Sequence, residues 1–271
     1  MLYNIKDFIE LWSAFMSEKK LTQVNTEGVR LNKYLSDGGY CSRREADRLI
    51  EAGKVYIDGK VALMGQKVLE GQKVTVENGS GAKTHKKEIK REDKLVLIAL
   101  NKPVGVECTS DRTNPDNIID FVGYKSRVFP VGRLDKNSEG LILLTNDGQL
   151  ADKMMRAANY HEKEYIVTVD KPFNSDFINK MGAGVPLKDE EHNLDVVTRK
   201  CHVEKVSDTV FKIILTQGYN RQIRRMCAYF GYNVVKLKRV RIMNIKLGSL
   251  KSGAYRELAT YEIKELKSQL K

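Results

Sequence analysis

Asp135 lies in the string Val131-Gly132-Arg133-Leu134-Asp135-Lys136-Asn137-Ser138-Glu139-Gly140-Leu141, a polar turn with apolar runs on either side and a cation on each flank. A carboxylate held there could attack an electrophilic carbon or carry a proton. By spacing alone the plainer reading is a turn aspartate bonded to its own backbone, and on that ground a catalytic role has little support. Four cysteines, Cys41, Cys108, Cys201 and Cys227, are scattered, with no C-x-x-C pair and no histidine at ligand spacing. Neither a zinc site nor a disulfide framework is expected, and reduced thiols of a cytoplasmic protein are.

A second chemically notable stretch follows late in the chain. Ile223, Met226, Cys227 and Phe230 recur at i, i+3, i+4 and i+7, which predicts a helix with Asn220 as its cap and Gly231 as its stop. Arg221, Arg224 and Arg225 then share the opposite side. Between Asp208 and Glu257 no acid occurs, while Lys212, Lys236, Lys238, Arg239, Arg241, Lys246, Lys251 and Arg256 join those arginines. Such a run predicts a phosphate-binding surface, with solvated charge as the alternative.

The elements that must position these groups are legible as β-branched runs at Leu95–Leu100, Val128–Val131, Leu141–Leu144, Tyr165–Val169 and Val210–Leu215. Helical segments are expected over Gln149–Arg156, Asp176–Met181 and Arg221–Phe230. The absence of a regular βαβ rhythm points to an α+β domain, 94–271, on a mixed and largely antiparallel sheet. Residues 77–93, polar and rich in Gly and Lys, read as a linker. Residues 1–28 read as an N-terminal extension with a mildly amphipathic run over Met1–Ser17, neither a signal peptide nor a membrane span.

Residues 29–76 form a smaller unit. Leu31, Tyr34 and Leu35 predict a helix ended by Gly38-Gly39, and Ser42-Arg43-Arg44-Glu45 is the S-x-x-E signature of a second helix start, with Gly53 as its stop. Asp58-Gly59 between Val55-Tyr56-Ile57 and Lys60-Val61-Ala62 predicts a hairpin with a two-residue turn. Arg30, Lys33, Arg43, Arg44 and Arg48 lie on or beside the helices, where arginine forks and helix-start amides suit phosphate oxygens. Glu45, Asp47 and Glu51 alternate with them, so intrahelical pairing is the competing reading.

The stretch RLNKYLSDGGYCSRREADRLIEAGKVYIDGK resembles an S4 domain, an RNA-binding module. By that resemblance the face carrying Arg30, Lys33, Ser42, Arg43, Arg44 and Arg48 grips folded RNA. GRLDKNSEGLILLTNDG resembles the active-site motif of pseudouridine synthases of the RsuA/RluB/RluF group. Leu100-Asn101-Lys102-Pro103-Val104-Gly105, Lys163-Glu164-Tyr165 and the string from Gln217 to Met226 match the same family in order. The resemblance runs from Val29 to about Leu258.

What it implies is specific. Asp135 would be the nucleophile, Tyr165 would stack on the target base and help remove its C5 proton, Arg133 would help extrude the uridine, and Arg224 would pair with Asp135. Arg221 and Arg225 would contact RNA, and neither a metal nor an organic cofactor is needed. The partner implied is a structured RNA, most directly large-subunit ribosomal RNA, with small-subunit ribosomal RNA or a tRNA anticodon arm as alternatives. A monomer is expected.

Composition agrees with a nucleic-acid partner. The 271 residues carry a formal net charge of +12, with 41% hydrophobic and 30% charged residues, an ordinary globular balance that excludes a fibrous or disordered chain. A non-catalytic S4-type RNA-binding protein is the reading from another class. A degenerate domain of that kind would be expected to lose Asp135 along with Tyr165 or Arg224, and all three are present.

Overall fold

The computed structural model describes residues 28–78, 85–90, 94–156, 160–189 and 194–270. The expected amphipathic run over Met1–Ser17 lies outside them. The chain divides into two compact units, Met1–Glu92 and Asp93–Lys271.

The described part of the first unit runs β1 (Val29–Arg30), α1 (Leu31–Asp37), α2 (Arg43–Glu51), β2 (Val55–Ile57), β3 (Lys60–Val61), β4 (Lys67–Val68), β5 (Val74–Asn78) and β6 (His85–Ile89). Leu31 and Leu35 of α1, with Ala46 and Ile50 of α2, bury one stripe of each helix against Val55, Ile57, Val74 and Val76. Ser42 caps α2 by accepting the Glu45 amide at 3.2 Å, while the Glu45 carboxylate turns to Arg48 at 3.1 Å. Asp58 and Gly59, both left-handed at φ 51° and 81°, make the two-residue turn between β2 and β3.

One expectation is corrected here. Residues 85–89 are not linker: they form β6, paired antiparallel with β5 from Val74↔Ile89 to Asn78↔His85. Of His85-Lys86-Lys87-Glu88-Ile89 only Ile89 is buried, and it enters the same core. A charged edge strand of this kind takes its stability from ladder hydrogen bonds and one apolar anchor, and its polarity protects the edge from further pairing. Its composition is therefore that of a loop.

The described part of the second unit runs β7 (Leu97–Lys102), α3 (Ile118–Val122), β8 (Phe129–Val131), β9 (Glu139–Thr145), α4 (Gly148–Met155), β10 (Lys163–Val169), α5 (Ser175–Ala183), β11 (Pro186–Asp189), β12 (Leu194–Val197), β13 (His202–Lys205), β14 (Val210–Leu215), α6 (Gln222–Tyr229), β15 (Val234–Ile242), β16 (Ile245–Lys246), β17 (Tyr255–Glu257) and α7 (Thr260–Gln269). The main sheet has the order β13-β14-β10-β15-β9-β7-β17, with β16 beside β15 and β8 beside β9. Its pairings are antiparallel except that of β15 with β9. The architecture is thus α+β on a mixed, largely antiparallel sheet.

Three apolar clusters hold this sheet. One packs α5 and α6 against β10 and β14 through Phe177, Met181, Val167 and Phe211; a second packs α4 and α7 against β7 and β9 through Leu150, Leu266, Leu97 and Leu141. The third, around Leu100, Ile118, Leu134 and Ile142, packs against Tyr165, which also borders the first. Tyr165 therefore stands where two cores meet.

Candidate active site

The loop between β8 and β9 presents Asp135. Three local contacts shape it: the Ser138 amide donates to Asp135 O at 3.0 Å and closes the turn, the Leu134 amide donates to Cys108 Sγ at 3.3 Å, and the Gly105 amide donates to Lys136 O at 2.9 Å. Leu134 is buried and pins the loop to the third cluster. The Asp135 side chain keeps 32% of its surface exposed, enough to meet a substrate. Arg133, beside left-handed Gly132, is exposed on the same loop.

Arg224, on α6, holds the loop from the other side. Its Nη2 donates to Asn137 O at 3.0 Å and to Ser138 Oγ at 3.3 Å, its Nη1 donates to Val234 O at 3.0 Å, and its Nε stands 3.8 Å from Asp135 Oδ2. The last is an ion-pair distance and too long for a hydrogen bond. Burial, then the neighbouring Arg221, press the Arg224 pKa down, and Asp135 opposes them. The structure thus brings Asp135 and Arg224 together as expected, with most of the guanidinium's hydrogen bonds spent on the loop backbone.

α6 begins differently from the sequence expectation. Asn220 does not cap it: Arg221, left-handed at φ 49°, occupies the cap position without a side-chain bond, and Asn220 Oδ1 accepts from Arg225 at 3.4 Å. Buried Gln222 reaches back instead to accept the Tyr219 amide at 3.0 Å. A glutamine inside the first turn was not distinguishable from an ordinary helix residue by spacing.

Lys102 is the functional-site residue that sequence reasoning left without a role. It is fully buried at 0% exposure, yet it ends β7 with Nζ donating to Val106 O at 2.7 Å, Pro103 O at 2.9 Å and Lys136 O at 3.5 Å. The last carbonyl belongs to the residue after Asp135. Burial pushes the Lys102 pKa down, while Cys108 and Asp135 pull it back up. The Lys102-Pro103 pair was visible in the sequence, but lysine is so seldom fully buried that composition points it outward.

Over 246 residues the chain is 54% identical to the dual-specificity RNA pseudouridine synthase RluF of Salmonella typhi, a match covering 91% of this chain and 80% of that relative. The chain belongs to the RNA pseudouridine synthases. RluF of Escherichia coli (strain K12) is 53% identical over 238 residues, covering 88% of this chain and 78% of its own. The RNA pseudouridylate synthase family model matches residues 96–229 and the S4 domain model residues 29–74. A crystal structure of a pseudouridylate synthase superposes with a TM-score of 0.61 at 27% identity, covering 88% of this chain and 99% of that one.

In this pseudouridine synthase the basic residues named from the sequence have unequal surroundings. In the S4 domain Arg30, Ser42, Arg43, Arg44 and Arg48 are exposed, and Asn32 Nδ2 donating to Asp47 Oδ1 at 2.9 Å ties α1 to α2. Lys33 pairs with Asp37 at 2.9 Å and Arg48 with Glu45. The proposed second footprint, by contrast, is partly internal to the fold. Lys212 pairs with Glu204, Lys236 with Glu139, Arg241 with Glu162 and Glu164, and Arg256 with Glu262, at distances from 2.5 to 3.2 Å. The acid-free run from 209 to 256 therefore takes these counter-charges from outside itself, from Glu204 and Glu262 nearby in sequence and from Glu139, Glu162 and Glu164 far from it. At the start of α6 Arg221 is exposed and Arg225 half-buried, the latter donating to Asn220 Oδ1.

No helix among the described residues is long and apolar enough to cross a membrane.

Proposed function

We propose that this synthase isomerises a uridine in large-subunit ribosomal RNA with Asp135 as its nucleophile, acting as a cytoplasmic monomer. The observation that carries the reading is a partly exposed carboxylate on a loop fixed by Lys102 on one side and by Arg224 on another, on the same sheet as Tyr165.

The reaction breaks the bond between N1 and the ribose C1′, turns the uracil, joins C5 to C1′ and releases the C5 proton to the surroundings while N1 gains one. Asp135 supplies the anion, either attacking C1′ or C6 or first taking a sugar proton. Tyr165 stacks on the base and assists departure of the C5 proton. Arg133, exposed beside Asp135, enters the space left as the uridine leaves the helix stack. Arg224 orients the carboxylate through the loop it holds. The S4 face of Arg30, Lys33, Ser42, Arg43, Arg44 and Arg48, together with Arg221 and Arg225, positions the RNA through its phosphates.

A second RNA belongs in the test because the RluF relatives carry the description dual-specificity. The experiment is Asp135→Asn against the parent on large-subunit rRNA, small-subunit rRNA and a tRNA anticodon arm, each labelled with tritium at uridine C5. Tritium release by the parent on the first, and none by Asp135→Asn with binding retained, is the expected result. Release by the variant at the parent rate overturns the assignment of Asp135.

A further inference from the structure

We infer that Arg239 is a positioning residue for this reaction, locking the Tyr165 ring to the strand that follows the Asp135 loop. The inference rests on the roles proposed above for Asp135 and Tyr165.

Arg239 lies on β15, the strand between β10 and β9. On one side its register partner is Tyr165, and on the other it is Gly140. Cross-strand partners stand on the same face at close range, so one residue touches both halves of the site. The guanidinium lies 6.0 Å from the centre of the Tyr165 ring, and its Nε donates to Leu141 O at 2.7 Å. The first contact is at the outer limit of a cation–π interaction; the second is a short charge-assisted hydrogen bond.

The close approach explains a glycine in the active-site string. A Cβ on Gly140 would stand 2.2 Å from Arg239 O and 2.7 Å from Arg239 N, and the Gly140 φ of 106° is a conformation that side chains rarely adopt. β15 can lie this close to the end of the Asp135 loop only because residue 140 has no side chain.

A purely structural residue would be less costly if apolar. Arg239 is 3% exposed, makes no ion pair among the described residues, and leaves Nη2 buried without a partner. Burying a guanidinium on these terms costs stability relative to a well-packed hydrophobic side chain. What the arginine adds is a planar fork joining an aromatic ring to a neighbouring strand, which a leucine or methionine cannot reproduce. The register shift between Glu164 and Tyr165 in the β10–β15 ladder lies at the same point, with Val240 as the extra residue on β15 next to Arg239.

The test is a double-mutant cycle on the full chain, read as single-turnover rate at saturating RNA and as RNA affinity. Arg239→Met should slow turnover by about 100-fold, the cost of a misplacement near 1 Å, with affinity unchanged. Arg239→Lys should recover part of the rate. In a Tyr165→Phe background the loss caused by Arg239→Met should shrink, because the hydroxyl being positioned is already gone. The same fold-loss in both backgrounds, or an unchanged rate in the parent background, would overturn the inference. If Arg239→Met does not fold, Arg239→Lys runs the same cycle with the same two outcomes. Tyr165→Phe turning over at the parent rate removes the part proposed for the Tyr165 hydroxyl in the C5 proton step and the inference with it, whereas a slow Tyr165→Phe beside a fast Arg239→Met sinks the inference alone.

Discussion

Arg224 approaches Asp135 with Nε at 3.8 Å from Oδ2 while its Nη2 is committed to Asn137 O at 3.0 Å. The guanidinium therefore serves as a bracket for the loop, and its charge acts on the carboxylate from a short distance. Arg224→Lys preserves the charge but cannot span Val234 O, Asn137 O and Ser138 Oγ at once. Single-turnover rate at saturating RNA is expected to fall by about 100-fold with RNA affinity little changed. A rate within experimental error of the parent would show that charge alone suffices.

Lys102 should matter to stability as well as to the site. Lys102→Met removes the donor shared by the carbonyls of Pro103, Val106 and Lys136, leaving buried acceptors unsatisfied. The expected cost is about 2 kcal/mol or more in urea unfolding, accompanied by loss of activity because the Lys136 carbonyl is part of the Asp135 loop. An unchanged unfolding midpoint would contradict the account.

Sequence and structure divide the explanation unevenly. Helix stripes such as Leu31/Leu35 and Ile223/Met226/Cys227 were legible because burial imposes a period, and Asp58-Gly59 because a two-residue turn demands left-handed residues. Asp135 was legible as an active-site candidate only through the whole string around it. The interior roles of Lys102, Arg239 and Arg241 were not, because each includes a partner 34 to 98 residues away in the chain, Lys136, Leu141 and Glu164 in turn, and Lys102's nearer bonds to Pro103 O and Val106 O need a backbone fold that spacing does not reveal. Strand β6 was hidden for a related reason: its pairing with β5 is set by backbone, and four of its five side chains face solvent.

Lys163 gives a pH signature. Burial, helped by the charge of Arg239, lowers its pKa from the ordinary 10.5 to about 8. The folded form thus releases a proton that the unfolded chain still holds between pH 8 and 10.5, so stability rises with pH across that window and the full burden of the buried ammonium is felt below it. Lys163→Met should be more stable than the parent at neutral pH, and its advantage should decline from pH 8 towards 10.5. Because thiols and phenols also titrate there, the difference between parent and variant is the quantity to follow in chemical denaturation. A difference that stays constant with pH would mean that Lys163 is not held in an unfavourable environment.

Affinity and chemistry should separate along the chain. Arg43 and Arg44 are exposed in the first turn of α2, where Ser42 caps the helix, so both guanidinium groups and the helix start offer donors to phosphate. They carry none of the hydrogen bonds that shape the Asp135 loop. Replacing both with alanine in the full chain should weaken RNA binding, and the slope of log affinity against log salt should fall by about 0.7 to 0.9 for each phosphate no longer neutralised. Turnover at saturating RNA should match the parent, since the bound substrate still meets an intact Asp135, Tyr165 and Arg224. Filter binding across a salt series, paired with tritium release at high RNA concentration, checks both halves. A variant with parent affinity and parent salt slope would show that α2 does not touch the RNA, and a loss of saturated turnover with unchanged affinity would place these arginines in the chemistry instead.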